Sequence, residues 1–182
     1  MASPPTHAVV AVTIGAVHDL QPRAARTSLV AIACAIAPDL DALGYWLGVP
    51  YESFWGHRGF THSMAFAVLL SWICANWISH SSAISRLRLW SVYLMAVLSH
   101  DVLDAMTDGG LGVALFSPLD QTRYFFPFRP IQVSSMSLSD VVGPHGVSVL
   151  ANECLWVWIP CGMIVTVFWL WSGRRIPISS TG

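Results

Sequence analysis

The stretch LWSVYLMAVLSHDVLDAMT, residues 89–107, joins an apolar run of membrane length to ionisable side chains at its end. A bilayer span needs about 20 predominantly apolar residues. An ionised acid inside hydrocarbon costs at least about 2.5 kcal/mol on insertion scales, so acids at this place indicate a functional site. His100 and Asp104 are four residues apart and share one helical face. They can therefore hold one ion together, or Asp104 can fix the tautomer of a ligating His100.

Outside this stretch the chain is equally apolar, with 54% hydrophobic and 10% charged residues among 182. Four further apolar stretches lie at about residues 7–18, 27–48, 60–79 and 153–171. The composition predicts an all-α polytopic membrane helix bundle of four to five segments, because the stretch 7–18 is short enough to be re-entrant. We expect one membrane-embedded domain over residues 1–175, with an outward-facing loop at about 108–152 and a tail at 176–182.

The basic residues indicate how the bundle is oriented. All nine are arginine and the net charge is −1, which excludes the dense basic surface typical of nucleic-acid binding. Arginine near membrane segments is retained preferentially in the cytoplasm. Alternating the segments puts three arginine pairs on one side, namely Arg23 with Arg26, Arg86 with Arg88, and Arg174 with Arg175. The sequence thus predicts a multi-pass protein whose opposite face, with the polar cluster, faces the periplasm.

Two further motifs bring metal-type ligands to that outward face. In AIAPDLDAL, Asp39 and Asp41 would point apart on an ideal helix, but Pro38 can break the helix so that both acids turn inward. In WGHRGFTHSMAF, His57 and His62 are too far apart for one helical face. We therefore expect one of these histidines in the loop and the other in the first turn.

The remaining candidates open the first and last segments and flank the site. His7 and Glu153 both start from the outward side. Arg58, Arg123 and Arg129 lie on the same side, where a guanidinium can grip a phosphate or carboxylate at two points. For Arg123 and Arg129 the alternative is contact with lipid headgroups beside neighbouring aromatic residues.

A mixed imidazole and carboxylate set suits zinc, manganese or iron better than calcium or magnesium. The expected cofactor is a divalent metal, zinc or manganese, as one ion or two. Such ions make water acidic enough to attack phosphorus or a carbonyl carbon near neutral pH, so hydrolysis is the implied reaction class.

The motifs THAVV, PDLD, HRGFTHS, SHDVLDAMTDGGLGVALFSP, RYFFPFRPI and NECLWVWIP occur in this order from His7 to about Pro160. In combination they resemble the YdjM-like predicted membrane-bound metal-dependent hydrolases of the bacterial inner membrane. The resemblance implies an inner-membrane location and a hydrolase activity.

These observations predict a membrane-bound metal-dependent hydrolase acting on a phosphoester or lipid-linked anionic substrate, with membrane lipids as its surroundings. The expected metal ligands are Asp39, Asp41, His57, His62, His100 and Asp104. His7 and Glu153 are expected to be further ligands or the catalytic acid and base, while Arg58, Arg123 and Arg129 bind the substrate anion. Two alternatives stay open: an ion or proton transporter, and a non-catalytic protein whose metal staples its helices.

Overall fold

The computed structural model describes residues 1–18, 25–80, 82, 84–135, 140 and 142–172. Arg23, Arg174, Arg175 and the tail at 176–182 lie outside the described residues.

The first part of the chain contains the helices α1 to α4 and two 3₁₀ segments. Helix α1 spans Pro4–Val17 and has its prolines in the first turn, where a missing N–H costs no hydrogen bond. Helix α2, Ala25–Ile36, continues through a 3₁₀ stretch, Ala37–Asp41, into the short helix α3, Ala42–Trp46. A 3₁₀ turn, Phe60–His62, precedes helix α4, Met64–Ser79.

The second part begins with helix α5, Arg86–Ala105, which contains most of the stretch 89–107. Helix α6, Pro144–Glu153, passes through a π-helical turn, Cys154–Trp158, into helix α7, Ile159–Trp171. This last helical stretch begins nine residues earlier than the apolar run at 153 suggested, because its first turn is polar and is initiated by Pro144.

The all-α prediction is confirmed for the residues that the structure describes, which contain helices and only two isolated β-bridges. Two continuous helical stretches, Ala25–Trp46 and Pro144–Trp171, are long and apolar enough to cross a bilayer, with 22 and 28 residues. Pro4–Val17 and Met64–Ser79 are apolar but shorter. The bundle of four to five crossings therefore stays a prediction.

Small side chains hold the helices together. Helix α4 packs along α5, α5 packs against α2, and α1 contacts α2, α5 and α7. Alanine dominates the buried core, at Ala11, Ala31, Ala35, Ala67, Ala75 and Ala96. Small residues let helix backbones approach closely, as in membrane helix pairs.

Large apolar side chains point outward instead. The exposed set includes Trp72, Trp77, Met163, Ile164, Trp169 and Leu170. Within Pro144–Trp171, only 6% of an apolar segment of 18 residues is buried inside the protein. An apolar surface of this kind is typical of an interaction with a membrane or a protein partner.

The polar residues separate toward opposite ends of the helices. Helix α5 has Arg86 and Arg88 in its first turn and His100 and Asp104 near its end. A helix of 20 residues is about 30 Å long, so these groups lie far apart. Arg88 donates a hydrogen bond to the backbone oxygen of His18, just after α1, whereas His7 lies near the start of α1.

Candidate metal centre

The last turns of α5 supply two fully buried polar side chains, His100 and Asp104. The Nδ1 atom of His100 lies 2.8 Å from the backbone oxygen of Ala35. Because a carbonyl oxygen only accepts, Nδ1 carries the proton, and the lone pair of a neutral ring is on Nε2. Asp104 accepts hydrogen bonds from the backbone N–H of Ala2 at 2.7 Å and from Nε of Arg58 at 2.9 Å.

Asp39 reaches the same place from the 3₁₀ stretch that follows α2. Neither of its carboxylate oxygens has a hydrogen-bond partner, although both are buried. Its Oδ1 lies 3.6 Å from Nε2 of His100 and 3.7 Å from Nε2 of His62. A buried carboxylate without a donor is costly, so these two oxygens favour a cation beside them.

His62 comes from the 3₁₀ turn before α4. Its Nδ1 lies 3.1 Å from Oδ2 of Asp41, and its Nε2 lies 2.9 Å from Nε2 of His100. With both Nδ1 atoms donating to oxygen, the two neutral rings would bring lone pairs together at that distance. A proton on one ring or a shared cation removes this repulsion.

His7 completes the group from α1. Its ring stacks on His100 with centroids 3.9 Å apart, and neither ring nitrogen has a hydrogen-bond partner. Its Nε2 lies 3.8 Å from Oδ2 of Asp39 and 3.7 Å from Oδ1 of Asp104. Buried polar atoms normally have a hydrogen-bond partner, so the two unpaired ring nitrogens of His7 favour a ligand beside them.

The side chains fit a metal ion. The ligand atoms of Asp39, His62, His100 and Asp104 all lie within 4.8 Å of one another. Ligands bound at about 2.0–2.2 Å from one ion lie no more than about 4.4 Å apart, so small side-chain movements complete the sphere. With His7, three imidazole nitrogens and two carboxylates converge, a set suited to zinc, manganese or iron.

Asp41 forms an outer layer around this centre. Its carboxylate lies 2.6 Å from Nδ1 of His57 and accepts from the hydroxyl of Thr61 and, at 3.1 Å, from the backbone N–H of Arg58. Together with His62 these contacts make Asp41 the orienting partner of two imidazoles. Such carboxylates fix the tautomer and direction of a ligating histidine.

His57 is the remaining metal-type side chain. Burial lowers its pKa, and the hydrogen bond to Asp41 works in the opposite direction. Its buried Nε2 has no hydrogen-bond partner. Asp41, His57 and His62 also lie close enough for a second ion. Whether the protein binds one ion or two stays a prediction.

Arg58 is buried behind the cluster. It is a non-glycine residue with a positive φ of 63°, which is unusual and often found at functional sites. Besides its bond to Asp104, its guanidinium donates to the backbone oxygen of Gly109 at 2.9 Å and to the hydroxyl of Thr107 at 2.8 Å. All three of its nitrogens thus contact the protein, and its contact with a substrate stays a prediction.

The other predicted site residues lie in separate surroundings. Glu153 accepts hydrogen bonds from the backbone N–H of Ser3 at 2.6 Å and from the hydroxyls of Ser3 and Thr6. Arg123 donates to the backbone oxygens of Tyr51, Ser53 and His57, and Arg129 lies over the ring of Phe125 at 4.6 Å. Their catalytic and substrate-binding roles stay predictions.

Several polar residues of this region were not singled out from the sequence. The hydroxyls of Ser3, Thr6, Thr61 and Thr107 bind the site's carboxylates or Arg58. Serine and threonine are common everywhere, so only the position of Thr61 directly before His62 offered a signal.

Fold and site together define an all-helical protein with an apolar exterior and a buried centre of histidines and carboxylates. The chain belongs to the YdjM inner membrane protein family, whose sequence model matches residues 1–176. It is 34% identical over 169 residues to the inner membrane protein YbcI of Escherichia coli (strain K12), covering 93% of this chain and 97% of that protein. No solved structure matches the chain.

Proposed function

We propose that this protein is a multi-pass inner-membrane hydrolase that uses a divalent metal ion to cleave a phosphoester. The observation that carries the proposal is the convergence of five buried side chains from four elements: His7, Asp39, His62, His100 and Asp104. Their free lone pairs and charges are explained by a shared cation. Hydrolytic enzymes commonly hold catalytic ions with imidazole and carboxylate ligands.

The protein's own residues preorganise these ligands. The backbone oxygen of Ala35 fixes the ring of His100, and Asp41 fixes the ring of His62. Arg58 holds one oxygen of Asp104 and balances part of the negative charge that two buried carboxylates bring. Ligands oriented in this way need only small movements when an ion binds.

A divalent ion at this point supplies Lewis acidity, which activates water and stabilises negative charge on a phosphoryl group. In the proposed reaction, the water oxygen forms a bond to phosphorus while the bond from phosphorus to the leaving oxygen breaks. One proton of the water ends on the leaving alcohol and the other on the product phosphate. We assign the movement of a proton to Asp39, because neither of its carboxylate oxygens has a hydrogen-bond partner in the protein.

The proposed site faces the periplasm. Two observations support this orientation: the cluster lies at the end of α5 opposite Arg86 and Arg88, and Arg26 lies at the start of α2, far from Asp39. Arginine near membrane segments favours the cytoplasm. We also propose that α1, α4 and α5 lie in the membrane with the two longer helical stretches.

A second candidate is a structural metal that staples the helices without catalysis. It is favoured by the complete burial of His7, His62, His100 and Asp104. Structural sites are closed, whereas catalytic sites keep a position open for water or substrate. We favour the catalytic interpretation because Asp39 is the least buried of these residues, 8% exposed, and lies nearest to the surface from which water would enter.

Hydrolysis by the purified, metal-loaded chain separates the two. We expect the wild type to cleave bis(p-nitrophenyl) phosphate and His100→Ala to lose both bound metal and cleavage. The matched control, His80→Ala, changes a histidine at the opposite end of α4 and should keep both. A wild type that holds metal tightly but cleaves no phosphoester would contradict the hydrolase and favour the staple.

A further inference from the structure

A lateral cavity lies between the two helical stretches that are long enough to cross a membrane. Its volume is about 300 Å³. The residues that line it are Met1, Ser3, Pro4, Pro5, Ala42, Trp46, Ser134, Ser135, Gly146, Val149 and Leu150. Helix α3 forms one wall and helix α6 the other, and most of the lining side chains are apolar.

This cavity adjoins the metal centre through two segments. Asp39 lies in the 3₁₀ stretch, and Ala42, three residues later, is the first residue of α3, into which that stretch runs directly. Residues at that spacing lie on the same side of such a helix. Ser3 lines the cavity, and its neighbour Ala2 donates a hydrogen bond to Asp104. Asp39 and Asp104 are thus the members of the centre whose neighbouring chain segments line the cavity.

The walls indicate what the cavity holds. Trp46 and Leu150 line it and are also 57% and 40% exposed, so the apolar lining continues onto the outer surface of the protein. Both belong to the helical stretches Ala25–Trp46 and Pro144–Trp171. A volume near 300 Å³ is at the lower end of small-molecule sites, enough for a stretch of hydrocarbon chain.

We propose that the lateral cavity binds the hydrocarbon chain of a lipid phosphoester, taken sideways from the bilayer, while its phosphate lies beside Asp39. This inference rests on the proposed function and names its substrate class. It explains why an apolar cavity adjoins a cluster of charged ligands. A phosphoester without a hydrocarbon chain would not be stabilised by this apolar lining, because the hydrophobic effect acts on apolar groups that leave water.

Photolabelling tests binding without relying on activity. The full chain in phospholipid vesicles is exposed to a long-chain alkyl phosphate with a diazirine in its chain, and the adducts are located by mass spectrometry. We expect adducts within residues 42–46 and 146–150. Gly146→Leu, which fills the cavity, should abolish them, whereas Val147→Leu, at a 68% exposed neighbouring position, should leave them unchanged. Adducts spread over the outer surface, or equal yields in both variants, would overturn the proposal.

Activity supplies a separate comparison. Gly146→Leu should slow hydrolysis of a long-chain phosphodiester by at least about tenfold, because losing the contacts of two methylene groups suffices for that. It should leave bis(p-nitrophenyl) phosphate cleavage and metal content unchanged. If adducts form at the cavity but the wild type hydrolyses no phosphoester, the proposed function fails and the lipid site stands. If the soluble diester is cleaved and chain length has no effect, the lipid site fails instead.

Discussion

Replacing Asp41 by asparagine tests whether the outer layer of the site positions the metal ligands. Its Oδ1 contacts Nδ1 of His57 at 2.6 Å, while its Oδ2 contacts the hydroxyl of Thr61, the backbone N–H of Arg58 and Nδ1 of His62. An asparagine has one accepting oxygen and one donating NH₂ group. Whichever way the amide turns, it therefore loses one of these two sets of contacts.

The expected result is weaker metal binding with the direct ligands unchanged. Loss of an orienting partner typically lowers metal affinity 10–100-fold, which corresponds to about 1.4–2.7 kcal/mol. The dissociation constant is measured by competition with a chelating dye, and circular dichroism checks that the helices remain. Glu52→Gln is the matched control, because it makes the same change of charge at an exposed position in the segment before His57.

Two results would tell against this reasoning. An unchanged dissociation constant in Asp41→Asn would mean that Asp41 does not orient a ligand. A fall in stoichiometry from two ions to one, with the remaining ion bound as tightly as before, would make Asp41 a direct ligand of a second ion.

Three further changes test other parts of the account. Glu153→Gln should lower the free energy of unfolding by about 1–3 kcal/mol with and without metal, because it leaves buried donors near the N-terminus poorly paired; equal melting temperatures would contradict this. Arg58→Met should destabilise the protein by about 3–5 kcal/mol, as it leaves Asp104 buried without its partner, and denaturant unfolding with metal removed measures the loss. Gly59→Ala should reduce bound metal, because the added Cβ would meet backbone oxygens at 2.4 and 2.7 Å. Gly162→Ala is the control, since its Cβ would meet nothing within 4 Å. Equal metal content in the two variants would contradict a role of the tight turn at Gly59.

The helices and the residue types of the site could be read from the sequence because both depend on local patterns. Apolar runs of membrane length predict helices whatever their packing, and His100 with Asp104 share a face by helical geometry alone. The break at Pro38 was also visible, and a 3₁₀ stretch at Ala37–Asp41 is what the structure shows there.

The different surroundings of the two aspartates could not be read in this way. Asp39 and Asp41 are two residues apart in one short motif, yet Asp39 faces the central histidines and Asp41 faces the outer layer. Their difference depends on where the 57–62 loop packs, which is a long-range property. The same holds for Arg58, whose place on the outward side predicted a substrate contact and whose packing beside Asp104 depends on the fold.

The most direct test of the central claim is X-ray absorption spectroscopy on the metal-loaded protein. We expect a tightly bound divalent ion whose nearest neighbours include three imidazoles, from His7, His62 and His100, together with carboxylate oxygens. His100→Ala should remove one imidazole or the ion itself. A spectrum with oxygen neighbours alone, or a chain that retains no ion after purification and reloading, would contradict it.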